Sequence, residues 1–110
     1  MLQIRLGHDD AAPINDWLGR ARIGFRPGMT EAEAWEAGRG VWKLKAANVL
    51  AQEEVQVISL DGIVRAVATI TGIRKCGDRQ AVEGDLLIGD PRVGQPTTTP
   101  HRSRNSVEYF

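Results

Sequence analysis

VQVISLDGIVRAVATIT, residues 55–71, decides the fold class. Two β-rich runs, Val55–Leu60 and Ile63–Thr71, are joined only by Asp61-Gly62. Asp-Gly between such runs is the strongest short hairpin signal, because a type I′ turn needs positive φ at both central residues. Working outward, Gly72 and the polar Lys75–Gln80 stretch end the hairpin. Ala81–Ile88 supplies a third strand, with a bulge or turn at Gly84-Asp85. Upstream, Leu2, Ile4 and Leu6 alternate with Gln3 and Arg5, the period-two pattern of a half-buried strand. Downstream, Val107, Tyr109 and Phe110 return to strand character after the loop Gly89–Ser106, where Pro91, Pro96 and Pro100 exclude a helix. So long a loop inside a compact domain is uncommon and often functional.

Helical signals lie mainly in the N-terminal half. Pro13 can open a helix on which Ile14, Trp17, Leu18 and Ala21 share one face, placing Trp17 in the core. Thr30 followed by Glu33 fits a capping box, and Gly38 is placed to end that helix in a left-handed conformation. Val41–Leu44 reads as a short strand or turn, and Ala46–Ala51 as one more helical turn. The expectation is one α+β domain over residues 1–110: a twisted antiparallel sheet or small β-barrel with two to three short helices.

Composition narrows the function classes. A hydrophobic fraction of 42% and a charged fraction of 25% are those of a globular domain, which excludes disorder along the whole chain. No apolar run approaches the roughly 18–20 residues of a membrane span, and MLQIRLGHDDAAP lacks the pattern of a secretory signal. Cys76 stands alone, in a polar KCGD turn, so no internal disulfide forms and a reducing cytoplasm is the expected home. The 14 basic and 14 acidic residues cancel, which argues against coating nucleic acid by bulk charge. Arginine outnumbers lysine 11 to 3, a bias that suits phosphate recognition and that a GC-rich genome explains equally well. Basic residues also gather between Trp17 and Lys45, where a local positive face can form.

For catalysis the raw material is thin. One cysteine and two distant histidines, His8 and His101, have no zinc spacing, and neither phosphate-loop pattern is present. No metal or cofactor is expected, and His8-Asp9-Asp10 reads as a solvated turn. His101-Arg102-Ser103-Arg104-Asn105 offers a metal-independent ribonuclease site, with His101 as acid or base and Arg102 or Arg104 on the phosphate. The same residues can bind phosphate without cutting, or form a loop in which Asn105 turns the chain. Trp35 and Trp42 flank Arg39-Gly40, and either indole can line a base-stacking pocket or pack in the core.

The segment from Trp35 to Trp42, W-x-x-x-R-G-x-W, resembles one found in small bacterial domains of restriction and phage-defence systems. In those domains a hairpin like VISLDGIVRAVATI follows, and near the end a glycine-containing segment leads to N-P-[IV]-x-Y, matched here by Val93-Gly94 and Asn105–Tyr109. The resemblance spans about residues 35–110 and departs at Ser106, where proline is usual, and in the loop before it. It implies a PUA-like barrel, a group that includes readers of RNA and of modified bases, with Trp35, Arg39, Trp42, Arg104, Asn105 and Tyr109 as the positions to watch.

A binding module is therefore favoured over an enzyme. The expected partner is a nucleic acid or nucleotide held by Trp35, Arg39, Trp42, Lys43, Arg102, Arg104, Asn105 and Tyr109, with ribonuclease action through His101 as the alternative. A further alternative is a homodimer or protein contact through the C-terminal strand, where Tyr109-Phe110 presents an edge. No membrane partner is expected.

Overall fold

The computed structural model describes residues 1–110. Along the chain run β1 (Leu2–Arg5), β2 (Asp10–Ala11), β3 (Arg22–Ile23), α1 (Glu31–Gly38), α2 (Ala46–Leu50), β4 (Glu54–Ile58), β5 (Val64–Cys76), β6 (Arg79–Leu86) and β7 (Val107–Tyr109). Five strands form one sheet in the order β6-β5-β4-β1-β7, while β2 and β3 make a small separate ribbon. The α+β class holds, with two helices. The sheet, however, is mixed and open: β1 lies parallel to β4, with Leu2 opposite Val55, and the other pairs are antiparallel. A parallel pair needs a long crossover, and the connection through both helices provides it.

Both faces of the sheet are covered. On one, Leu2, Ile4, Val55, Val57, Ala66 and Ala68 pack against Ala34, Trp35 and Ala37 of α1 and Val49 of α2. On the other, Ile58, Val64 and Val67 lie under Leu87 and Val93 of the long C-terminal loop. That loop is an ordered strap, laced to the hairpin by bonds from Val64 N to Gln95 O (2.9 Å), Gly94 N to Val64 O (2.8 Å) and Thr97 N to Gly62 O (2.8 Å). β1 is therefore buried on both sides, and its polar member Gln3 is fully enclosed, not facing water as the alternation suggested. Its amide is satisfied under the strap, donating to Gln56 Oε1 (2.9 Å) and Thr99 O (2.7 Å).

Two register shifts explain how β5 serves both layers. Ile58 pairs with Val64 while Val57 pairs with Ala66, so Arg65 is the extra residue. Its insertion reverses the alternation, turning Val64 toward the strap and Ala66 toward the helices. The second shift lies between Ile70 and Gly72, opposite Gly84, and lets Ile70 and Ile73, three apart, reach the same core. Of the bulge or turn expected at Gly84-Asp85, a bulge forms, with its extra residue, Thr71, on the partner strand.

Several local expectations change. The Asp61-Gly62 turn is not type I′, since φ is positive at Gly62 (80°) and at no non-glycine residue. Gly62 N donates to Ser59 O (2.9 Å) and Ser59 N to Ile63 O (3.0 Å), the pattern of a type I turn closed by a left-handed glycine. β5 does not stop at Gly72 but runs to Cys76, which is buried, and a second hairpin turns at Gly77-Asp78. No helix forms after Pro13. Asp16 instead accepts from Arg20 N (2.8 Å) and holds its guanidinium in a fork, folding residues 13–20 into successive turns with Ile14 and Trp17 exposed. A short acidic side chain that bonds nearby backbone competes with helix in this way.

The α1 start is as the sequence specifies, with both bonds of the Thr30–Glu33 capping box made. Its end is not, because Gly38 is the last helical residue and Arg39, in right-handed geometry, caps it. Glycine is needed at position 38 for closeness: a Cβ there would sit 2.7 Å from Val57 Cγ2. The C-terminal carbonyls of α1 instead receive a distant cation, Arg20 Nη1 donating to Glu36 O (3.2 Å), Ala37 O (3.3 Å) and Gly40 O.

Candidate functional site

The chain leaving α1 is stitched to β6. Val82 N donates to Arg39 O (2.6 Å), and Trp42 and Gln80 exchange both backbone hydrogen bonds at 2.9 Å. Gln80 Nε2 adds a bond to Leu44 O (2.6 Å). Leu44 is buried, so the extended backbone leaves Lys43 and Lys45 on either side of it exposed. Across from this segment lies β7, on the far edge of the sheet, with Val107 opposite Ile4 and Tyr109 opposite Leu2. The two edges are not hydrogen-bonded to each other, yet both contribute walls to one hollow.

This hollow has a volume of about 490 Å³ and brings Trp42, Lys43, Lys45 and Arg79 to face Asn105 and Tyr109. Asn48 of α2 closes one side, and no carboxylate lines it. The ion pairs of the chain are all made by other cations, which leaves Lys43, Lys45 and Arg79 unneutralised. The indole of Trp42 is half-buried and fixed by its Nε1 donating to Gly38 O (2.7 Å). Burial pushes the Tyr109 phenol above its ordinary pKa, so it stays a neutral donor. Cations without counter-charges, two aromatic groups and two carboxamides form a set able to hold a phosphate beside a planar ring.

Of the sequence-derived site residues, Trp42, Lys43, Asn105 and Tyr109 meet here. Trp35 does not, being 7% exposed within the core. Arg39 is held in the structure, its Nε bonded to Glu36 (3.1 Å) and its Nη1 to Val82 O and Glu83 (both 3.2 Å). Arg102 and Arg104 are exposed but do not line the hollow. His8-Asp9-Asp10 is exposed as expected but extended, not a turn: His8 bridges Phe25, Asp10 opens β2, and Asp9 is bound to Arg22 at 2.9 Å. Around Asp9 the Arg22 guanidinium holds the carboxyl below its ordinary pKa.

His101 sits elsewhere. Its side chain is 2% exposed, its Nε2 lies 2.6 Å from Asn105 O and its Nδ1 lies 2.7 Å from Gln3 Oε1. Glu108 lies 3.6 Å from Nδ1. Burial pulls the Glu108 carboxyl upward, and the backbone N–H groups of Arg102 and Ser103, with His101 nearby, outweigh it and hold the group below its ordinary value. His101 lines a hollow of about 290 Å³ with Arg5 and Asp61, but both of its ring nitrogens are already engaged, by Gln3 and by Asn105 of the strap.

Five residues that line the hollow are outside the sequence-derived set: Lys45, Asn48, Arg79, Ser106 and Val107. The K-L-K alternation at 43–45 was a usable signal, since an extended chain puts both lysines on the side away from Leu44. Arg79 follows Gly77-Asp78, a turn dipeptide whose glycine has φ 65°, and the hairpin tip it marks would have placed this arginine. In comparisons with family models, curated proteins and solved structures, none matches the chain.

Proposed function

We propose that this domain binds a nucleotide or short nucleic acid in the hollow between the α1–α2 segment and β7, without catalysing its cleavage. The observation that carries the reading is the convergence of three unpaired cations with Trp42 and Tyr109 around one cavity that no carboxylate lines. Lys43, Lys45 and the Arg79 fork take phosphate, the aromatic groups take the base, and Asn48 and Asn105 meet polar base edges. A cavity of about 490 Å³ falls in the range used for ligands of this size. The neutral net charge suits one bound nucleotide better than a coated duplex.

The PUA-like reading of the fold belongs to the same proposal. It is supported by the resemblance of residues 35–110 and by the way opposite edges of the sheet approach a shared cavity, as in a sheet bent toward closure. A base reader in a bacterial defence setting is the corresponding biological role. The ribonuclease alternative has less support, because His101 is enclosed and fully hydrogen-bonded.

The test is an anisotropy titration of fluorescein-labelled short RNA and DNA strands at about 50 and 200 mM salt, with unlabelled 5′-mononucleotides as competitors. Saturable binding that weakens as salt rises and is competed by mononucleotides supports the proposal. Absence of binding at the lower salt would remove it.

A further inference from the structure

Trp17 is 56% exposed, yet it is not on a loose loop. Asp16 and Arg20 lock its turn through an ion pair whose side chains are 4% and 9% exposed. Arg20 in turn ties the turn to the carbonyls of Glu36, Ala37 and Gly40. The indole lies along the hairpin tip, with Cζ2 3.5 Å from where a Cβ on Gly77 would stand. A large apolar ring held rigidly in water is the informative kind of exposure.

Beside it is a second hollow of about 300 Å³, lined by Trp17, Pro13, Asn15 and Val41. Arg79 lines this hollow as well as the one that holds Trp42 and Tyr109. The two hollows are thus neighbours across a single unpaired guanidinium, each with its own aromatic side chain. Asp16 and Asp78 also line the second hollow; Asp16 is spent on Arg20, and Asp78 disfavours phosphate on that rim. The rim shared with the first hollow, at Arg79, is where a linking phosphate is favoured.

Resting on the ligand reading above, we propose that the bound species is a single strand of at least two nucleotides, one base beside Trp42 and Tyr109 and the next stacked on Trp17, with the intervening phosphate on Arg79. The chemistry is that of a stacking platform: π-faces at successive positions bind bases of any sequence, and a cation between them tracks the backbone. A duplex is excluded from this arrangement because its bases are already stacked on each other.

The three tryptophans permit a direct test by ¹H–¹⁵N NMR, following each indole N–H during titration with 5′-AMP, 5′-UMP, and the trinucleotides of riboadenylate, ribouridylate and deoxyadenylate. Mononucleotides are expected to move the Trp42 signal, trinucleotides to move Trp42 and Trp17, and Trp35 to stay in place. Trp17→Ala should weaken trinucleotide binding about tenfold while leaving mononucleotide binding unchanged, and Trp17→Phe should restore most of it. Trinucleotides that bind no tighter than mononucleotides, or an unchanged Trp17→Ala, would overturn the two-base proposal while leaving the single-nucleotide reading in place. If neither class of ligand binds, the parent reading fails and this one fails with it. The ribose and deoxyribose arms separate an RNA source from a DNA source.

Discussion

His101 Nδ1 lies 2.7 Å from Gln3 Oε1, although 98 positions separate the two residues in the chain. The amide orientation of Gln3 is set from its other end, where Nε2 donates to Thr99 O (2.7 Å). Oε1 therefore faces the ring, and Asn105 O faces Nε2 at 2.6 Å. The ring thus bridges β1 and the strap, with the Glu108 carboxylate 3.6 Å from Nδ1. Removing the ring strands the buried Gln3 acceptor on β1 and releases the tie to Asn105 in the strap. His101→Ala is expected to destabilise the fold by about 2–3 kcal/mol, read as a lower urea midpoint. If wild-type protein cuts RNA in EDTA and a folded His101→Ala does not, this structural role is wrong and the ribonuclease alternative stands.

The strap has a second fastening, with a definite acid limit. Arg92 bonds Glu54 on β4 through Nη1 (2.9 Å) and Nη2 (3.2 Å), and grips Asp90 through Nε (2.9 Å). The Arg92 side-chain bond is the main cause holding Asp90 at about 2, and the same guanidinium lowers Glu54. A carboxyl depressed in the folded state contributes stability that is complete above its unfolded value and is lost as pH falls through the folded one. The contribution should therefore be whole near neutrality and fade from the ordinary carboxylate range down toward pH 2. Arg92→Met should lower stability at neutral pH by about 1 kcal/mol, since the group is partly solvated. The difference from wild type should shrink with acidification, as thermal melts across that range would record. A gap that widens in acid contradicts the assignment.

Gly38 against Val57 is a packing relationship with a sharp expectation. A methyl at position 38 would lie 2.7 and 2.8 Å from the two Val57 methyls, closer than atoms can stand. Helix propensity favours alanine over glycine by about 1 kcal/mol, and overpacking opposes it by about 1–3 kcal/mol. Gly38→Ala is expected to be net destabilising, and combining it with Val57→Ala should recover part of the loss. Denaturation of the two single variants and the double variant measures that coupling; simple additivity would show that the two positions do not touch.

How much of this was legible depends on the range of the interaction. The Thr30–Glu33 capping box and the chain reversal at Asp61-Gly62 are written within a few residues, and both are present. The parallel pairing of β1 with β4 is not, because the same alternating Leu2–Leu6 pattern serves either direction. Nor could the pattern reveal that Gln3 is enclosed, which depends on a strap about a hundred positions away. Helical spacing at Ile14, Trp17 and Leu18 misled because a single local bond set, Asp16 to Arg20, outcompetes a helix with little to bury. At the site, the motif positions Trp42, Asn105 and Tyr109 are brought together by the fold, with Lys43 beside Trp42. Trp35 and Arg39 share that motif but serve the fold: Trp35 is buried in the core, and Arg39, at the C-cap of α1, is tied to Glu36 and Glu83.

Charge removal in the hollow separates phosphate contacts from base contacts. Lys43, Lys45 and Arg79 are exposed and unpaired, so replacing them leaves no buried charge behind and the fold should be indifferent. If each meets a phosphate, Lys43→Gln, Lys45→Gln and Arg79→Gln should each reduce the dependence of log affinity on log salt by about 0.7–1, equally for all sequences. Tyr109→Ala should behave differently. Losing a stacking face lowers affinity by about 1–3 kcal/mol at every salt concentration and leaves the slope unchanged. Arg102→Gln and Arg104→Gln lie outside the hollow and should do neither. Salt titrations of the six variants would decide among these: a slope that falls only with Arg102 and Arg104 would move the phosphate path to the strap, away from the cavity beside Trp42.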